Sequence, residues 1–303
     1  MTLPTYKAMA TALAPAENTL ELTVAHPGLL LDRYAVYQSP TCAEFKMDKG
    51  QAPHIDRVIA ANKTVKAESL AKNSVAQAIL DQWDGMTTAM PFQVLRWKQT
   101  TLWRLAAHLS RAGTLENGAI CQHPIYGFPY LPGSGLKGMA FTQARLLLRY
   151  PDDDSPGEDP KQDRDILRIF GNAVKRRKNI DGTEDKADDI HDRAGSVNFL
   201  EAWPSTWPAL DKDIVNSHHR DYYANKGAND HPPGDWESPV PTYFLAVAAN
   251  TSFRFAVAKR DLATPDTDLE KAKSWLQLAL QELGAGAKTA AGYGYFSGPQ
   301  PLQ

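Results

Sequence analysis

Residues 125–138 read IYGFPYLPGSGLKG, and this stretch decides the fold. Ile125–Leu131 is aromatic and short, the composition of a strand. Pro132-Gly133-Ser134-Gly135-Leu136-Lys137-Gly138 follows at once. Then Leu136, Met139, Ala140, Ala144, Leu147 and Leu148 recur at helical spacing until Pro151 stops them. Gly133–Gly138 matches GxGxxG letter by letter, but a dinucleotide fold also needs a second strand ending in an acidic residue about 20 positions on. Residues 152–165 stand there instead, acidic, broken by Pro and Gly, and with no apolar run before them. The Rossmann reading therefore fails. What remains is a strand-to-helix turn whose glycines let a ligand approach the backbone and whose free N–H groups attract an anion.

Outward from this turn, the chain alternates strands and helices. Upstream, Leu20–Val24 and Leu29–Tyr37 have strand composition, Val65–Trp83 has helical periodicity ended by Gly85, and Thr101–Leu109 reads as a strand. Downstream, residues 152–165 read as an acidic loop, Ile166–Phe170 as a short helical piece and 171–194 as a polar insertion. Val197–Trp203 reads as a strand and 211–239 as a long loop. Thr242–Ala249 and Ser252–Lys259 alternate around Asn250-Thr251, which predicts a hairpin. Thr267-Asp268-Leu269-Glu270 has the pattern of a capping box. It opens a helix carrying Leu269, Ala272, Leu276, Ala279, Leu280 and Leu283 on one face, closed by Gly284. The order strand, helix, strand, strand, helix, strand predicts an α+β fold, βαββαβ and ferredoxin-like, with an N-terminal helical extension and large loop insertions.

Composition narrows the function classes. The chain has 303 residues, 43% hydrophobic and 22% charged, as an ordinary globular protein has. It has no apolar run of the ~18 residues a membrane span needs, and its first residues do not read as a secretory signal. The 33 basic residues and 35 acidic ones leave a net charge of −2, so any polyanion must be held by a local site. Cys42 and Cys121 are far apart and form no CxxC, which argues against a disulfide framework or a cysteine zinc site and for a reducing cytoplasm. No cofactor or metal is expected.

Several segments carry chemistry. In Gly133–Gly138, Lys137 adds a point charge to the turn. Residues 284–296 read GAGAKTAAGYGYF. They contain Lys-Thr but fail the Walker pattern, because Ala287 and Glu282 occupy the required glycine positions. The glycines at 284, 286, 292 and 294 still give a close-approach backbone, Lys288 a charge beside Thr289, and Tyr293, Tyr295 and Phe296 rings that can stack on bases. Lys175-Arg176-Arg177-Lys178 is the densest basic run, either a solvated loop or a phosphate clamp. His218-His219 with Tyr222-Tyr223 is an imidazole and aromatic patch, able to stack on a base or to act as a general base in RNA cleavage. His191-Asp192 stands alone in a charged insertion and carries no metal site.

Taken together and in this order, PGSGLKG before a helix and GAGAKTAAGYG before a last strand resemble the RAMP superfamily of CRISPR proteins. Gly195-Ser196-Val197-Asn198-Phe199-Leu200-Glu201-Ala202-Trp203-Pro204 resembles the family's middle motif. Asp213–His219 with Tyr222-Tyr223, and Trp236–Val247, resemble one branch, the sixth subunit of type III-B (Cmr) effector complexes. The similarity covers roughly residues 90–298. It departs from the usual pattern at Gly135, where a second serine is common. The resemblance implies an RRM-like RAMP domain over 91–303, with insertions at about 151–165, 171–194 and 211–239, and an extension over 1–90 with a helix at about 65–84. It further implies a non-enzymatic subunit that binds the 3′ region of the guide RNA, and target RNA, beside a backbone subunit, a small helical subunit and another end-capping RAMP subunit. The RNA-binding residues expected are Gly133, Ser134, Gly135, Lys137, Lys175, Arg176, Arg177, His218, Gly286, Lys288, Thr289 and Tyr293, with the two glycine segments converging on one ribose-phosphate strand. The alternatives are a metal-independent endoribonuclease that processes precursor guide RNA with His218 or His219 as general base, and a mononucleotide binder at Gly133–Gly138.

Overall fold

The computed structural model describes residues 27–32, 51–71, 74–107, 109, 118–147, 160–172, 193–219, 222–223 and 233–302. Its centre is β8 (Ser252–Lys259), whose six inner residues are all buried. A strand buried on both faces must be covered on both, and the period-2 alternation shows by what. Phe253, Phe255 and Val257 join the large cluster containing Leu136, Ala140, Leu269, Leu276 and Leu280. Ala256 faces the other way, into a cluster with Leu80, Trp83, Phe128, Trp203 and Trp207. The first face is therefore covered by α4 (Gly133–Leu147) and α6 (Asp266–Glu282), the second by α3 (Val75–Thr88).

The sheet order is β4 (Val197–Phe199), β8, β1 (Val94–Thr100), β9 (Gln300–Pro301), with β5 (Trp203–Pro204) also on β8. Every pairing is antiparallel. Register sets Trp97 opposite Phe255, and their rings stack at 5.7 Å. Cross-strand aromatic pairs of this kind add about 0.2–1 kcal/mol each over alanine. On the second face Arg254 is buried. Its Nη1 donates to Asp84 at 2.6 Å and its Nη2 to the carbonyls of Leu80 at 2.5 Å and Pro204 at 3.1 Å, which ties α3 to the sheet. Two further helices, α1 (Pro27–Asp32) and α2 (Gln51–Ser69), add Leu30, Leu31, Ile55, Val58 and Ala61 to the large cluster. The helix α5 (Pro160–Phe170) is bound to α6 by Arg168, whose guanidinium donates to Asp268 at 2.7 and 2.5 Å and to Asp165 at 2.6 Å. A two-residue ladder, β2 (Gly171–Asn172) with β3 (Arg193–Ala194), closes the chain around residues 173–192.

Several sequence expectations change. The single helix over 65–84 is two, α2 and α3. Ser74 takes extended backbone and accepts the N–H of Gln77 at 3.1 Å, an N-cap that starts a new helix, and α3 runs through Gly85 to Thr88. Of the strand expected over Leu29–Tyr37, the described part, residues 29–32, is helical; that expected over Leu20–Val24 lies outside the described residues. The strand expected at Thr101–Leu109 lies earlier, at β1, and residues beyond Thr100 make only single bridges. Ile125–Leu131 is likewise no strand, because the His123–Gly127 turn interrupts it: Gly127 N–H donates to His123 O at 2.8 Å. The acidic loop is helical from Pro160.

The largest change is at 211–239. Leu210–Ser217 is a strand, β6, paired over eight residues with β7 (Val240–Val247) in a separate two-stranded ribbon. Consequently β7 and β8 form no hairpin. Asn250 takes φ +59°, and the Thr101 carbonyl and hydroxyl receive the N–H groups of Asn250 and Thr251, so the turn is clamped to the end of β1 and the strands part into different sheets. The capping box also fails. Pro265 is the N-cap, and Asp268 spends its carboxylate on Arg168 and on Ser196 Oγ at 2.9 Å.

Candidate nucleic-acid interface

The first glycine segment opens α4 directly, three residues earlier than the apolar spacing predicts. Leu136 N–H donates to Pro132 O at 3.1 Å, closing the first turn. A Cβ on Gly133 would lie 2.2 Å from Phe199 O, so glycine is required where the helix start meets the β4–β5 backbone. Ser134 and Gly135 are exposed at that helix end. Lys137 is half-buried, and burial followed by the nearby charge of Arg260 lowers its pKa.

The second segment is seated elsewhere, on the chain leaving β1. Ala287 N–H donates to Ala106 O at 2.8 Å and Gly294 N–H to Arg104 O at 2.9 Å, while Ala285 N–H donates to Gly294 O at 2.8 Å. Gly286 has φ +84°, and a Cβ there would meet Ala106 O at 2.5 Å. Lys288 takes left-handed backbone (φ +61°) before a short 3₁₀ turn, Thr289–Ala291. Its ammonium lies 4.9 Å from the Phe244 ring centroid. Among the described residues neither Lys137 nor Lys288 is in a salt bridge. The bonds that seat the two segments share no residue, although the helices α4 and α6, which they adjoin, pack together and Gln143 Nε2 donates to Glu282 at 2.6 Å.

Tyr293 is bound into a network. Its hydroxyl donates to Asp213, which also receives Arg104 Nη1 at 2.9 Å, and Arg104 Nε donates to Asp211 at 3.1 Å. Burial by itself would raise the Asp213 carboxyl. The bonds from Tyr293 and the Ile214 N–H, with the charge of Arg104, outweigh it and hold the pKa below the usual range. Burial and the Asp213 carboxylate raise the Tyr293 phenol. Sequence reasoning gives Arg104 and Asp211 no part, and meets Asp213 and Phe244 only inside the branch motifs, with no contact assigned to them.

His218 lies apart from this network. It follows the far end of β6, five residues beyond Asp213, about 16 Å along a strand. It is exposed, while His219 Nδ1 stands 3.6 Å from Glu237 Oε1. Lys175, Arg176 and Arg177 lie outside the described residues. Among the described residues no group of three His, Cys, Asp or Glu side chains could hold a metal, and no helix is long and apolar enough to cross a membrane.

Comparison with known proteins places this geometry. The RAMP superfamily pattern matches residues 112–297. Cmr6, a CRISPR system Cmr subunit of Pyrococcus furiosus, is 33% identical over 207 residues, 56% of this chain and 58% of that protein, so the chain spans under two thirds of the relative's length. The crystal structure of Cmr6 from Pyrococcus furiosus superposes with a TM-score of 0.41 at 27% identity, covering 68% of this chain and 98% of that one. A chain of the type III-B Cmr-beta complex, determined by cryo-EM bound to cognate target RNA, superposes with a TM-score of 0.51 at 15% identity, over 92% of this chain and 87% of that one, and shares its fold. The family pattern covers more than half of the chain and both glycine segments: the protein belongs to the RAMP superfamily, and within it resembles the sixth subunit of the type III-B Cmr system.

Proposed function

We propose that the chain is a non-catalytic guide-RNA-binding subunit of a type III-B RNA-guided effector complex, contacting the 3′ region of the guide, neighbouring Cmr subunits and target RNA. The order β4-β8-β1-β9, with α4 between β1 and β4 and α6 between β8 and β9, supports a ferredoxin-like, RRM-like core. The observation that carries the functional reading is the seat of Lys288. The glycine segment is pinned to residues 104–106, and its lysine sits in left-handed backbone with no salt bridge among the described residues. A fixed loop that presents such an ammonium suits an RNA phosphate and reads no base. The similarity to Cmr6 supports the same class of complex.

Fluorescence anisotropy of the full chain with labelled single-stranded RNA, as a function of salt, tests this. Lys288→Ala and Lys137→Ala should each reduce the slope of log K against log salt by about 0.7. Unchanged slopes in both variants, or no binding by the wild type at low salt, would refute it. The endoribonuclease reading draws on the His219–Glu237 pair, a carboxylate facing an imidazole. Defined cleavage of precursor guide RNA without metal, lost in the His218→Ala/His219→Ala double variant, would establish that reading instead.

A further inference from the structure

Trp103 is a large aromatic side chain that folding leaves open. It is 49% exposed, although the residues on either side of it are fixed. Leu102 N–H donates to Tyr295 O at 2.8 Å, and the Arg104 carbonyl accepts Gly294 N–H at 2.9 Å. The backbone of Trp103 is thus stapled at both neighbours to the glycine-rich segment. The Arg104 guanidinium lies 5.1 Å from the indole centroid, over the ring. Arg104 is itself held by Asp211 and Asp213. Its charge is therefore committed to two carboxylates, and its plane backs the indole instead of reaching for a phosphate.

We infer that Trp103 is a base-stacking platform for single-stranded RNA, set beside the glycine-rich segment and backed by Arg104. This deepens the reading given above and rests on it. One side of the indole carries a fixed cation, and about half of the residue is left exposed. A π-face mounted on a rigid backbone beside a glycine-rich segment accepts any nucleobase and costs little ordering entropy. The sequence assigns stacking to Tyr293, but that ring packs 6.0 Å from Phe244 and its hydroxyl is bound to Asp213. Asp211 and Asp213 outnumber the one charge of Arg104 and disfavour a phosphate there, so the contact made at Trp103 is to a base. The platform is indifferent to base identity, as a subunit that must accept many guides requires.

The test is anisotropy of the full chain with a labelled single-stranded RNA, and with the same RNA carrying abasic positions. Stacking on one aromatic side chain contributes about 1–3 kcal/mol, so Trp103→Ala should weaken binding about 5- to 150-fold at fixed salt. The salt slope should stay at the wild-type value, because no phosphate contact is lost. Trp103→Phe should restore most of the affinity. The abasic RNA should bind the wild type weakly and be insensitive to Trp103→Ala. Equal affinity of Trp103→Ala and wild type for intact RNA would overturn the inference while leaving the guide-binding reading intact. Unchanged RNA affinity together with loss of assembly onto other Cmr subunits would reassign the indole to a protein contact. No RNA binding by the wild type would overturn both proposals.

Discussion

Gly286→Ala is the substitution with the sharpest consequence. Gly286 has φ +84°, and an added Cβ would sit 2.5 Å from the Ala106 carbonyl oxygen, 3.1 Å from its carbon and 3.2 Å from Ala107 Cα, all backbone atoms. Two terms follow. Left-handed backbone costs an L-residue about 1–2 kcal/mol. The contact also drives the loop off Ala106, and with it goes the 2.8 Å bond from Ala287 N–H, a further 0.5–1.5 kcal/mol or so. The expected loss is about 1.5–3.5 kcal/mol. Unfolding entropy near 2.1 cal/mol/K per residue over 303 residues gives roughly 0.6 kcal/mol per degree, so the midpoint should fall by about 4 °C. Gly292 is the internal control. Its φ is +88°, but nothing lies within 4 Å of its Cβ, so Gly292→Ala bears only the conformational term, about 1–2 kcal/mol. Urea unfolding followed by tryptophan fluorescence measures both. The reasoning fails if Gly286→Ala is no more destabilising than Gly292→Ala, or lies within 0.5 kcal/mol of wild type.

Three other perturbations probe the scaffold. Asp84→Ala leaves the Arg254 guanidinium buried on two carbonyls and should cost about 1–3 kcal/mol by urea titration, below the range for a fully buried pair because Asp84 is 42% exposed and those carbonyls remain. His54 is buried, and burial followed by Arg57 lowers its pKa from 6.5 to about 4. It is neutral in both states above 6.5, and as the pH falls toward 4 the unfolded chain takes the proton first. Stability should therefore drop by about 3 kcal/mol across that window, and His54→Leu should flatten that part of the profile. Tyr293→Phe removes a hydroxyl donated to a carboxylate and should cost about 1.5–3 kcal/mol; an unchanged urea midpoint would show that the Asp213 network does not hold the glycine segment.

Local pattern carried some elements of the fold and not others. The apolar spacing of α6 was legible, since Leu269, Ala272, Leu276, Ala279 and Leu280 are all buried, and Gly284 closes it at φ +74°. The β6 ribbon was not. Asp211-Lys212-Asp213 looks like a solvated loop, and it becomes a strand because Val240–Val247 supplies a complete ladder from 30 residues away. Its charges are satisfied by residues equally remote. Asp211 and Asp213 on one face meet Arg104, and Lys212 on the other meets Asp56. The glycine segments could be recognised from their spacing, but their seats could not. Gly133 answers to the Phe199 backbone and Gly286 to that of Ala106, and nothing in the local sequence pairs either glycine with its neighbour.

Asp268 shows the same limit at a single residue and explains why α5 matters. A Thr-x-x-Glu pattern at a helix start predicts side chains that satisfy free N–H groups. Here the N-cap lies two residues earlier, at Pro265, and the carboxylate of Asp268 turns inward with no exposure at all. A buried carboxylate is tolerable only when its lone pairs are filled, and it is better placed near the positive end of a helix. Two nitrogens of Arg168 and the hydroxyl of Ser196 fill them, and Asp268 and Asp165 together bind the guanidinium proton more tightly than usual. Arg168 lies on α5, Ser196 on the turn before β4 and Asp268 on α6, so one carboxylate fixes the two chain ends that bracket residues 173–192. Arg168 N–H groups hold the helix, and the Arg168 carbonyl in turn accepts the Ser196 N–H at 2.8 Å. Asn172 and Arg193, the described ends of the β2–β3 ladder, are therefore anchored beside α6, in the same helical layer as Lys137.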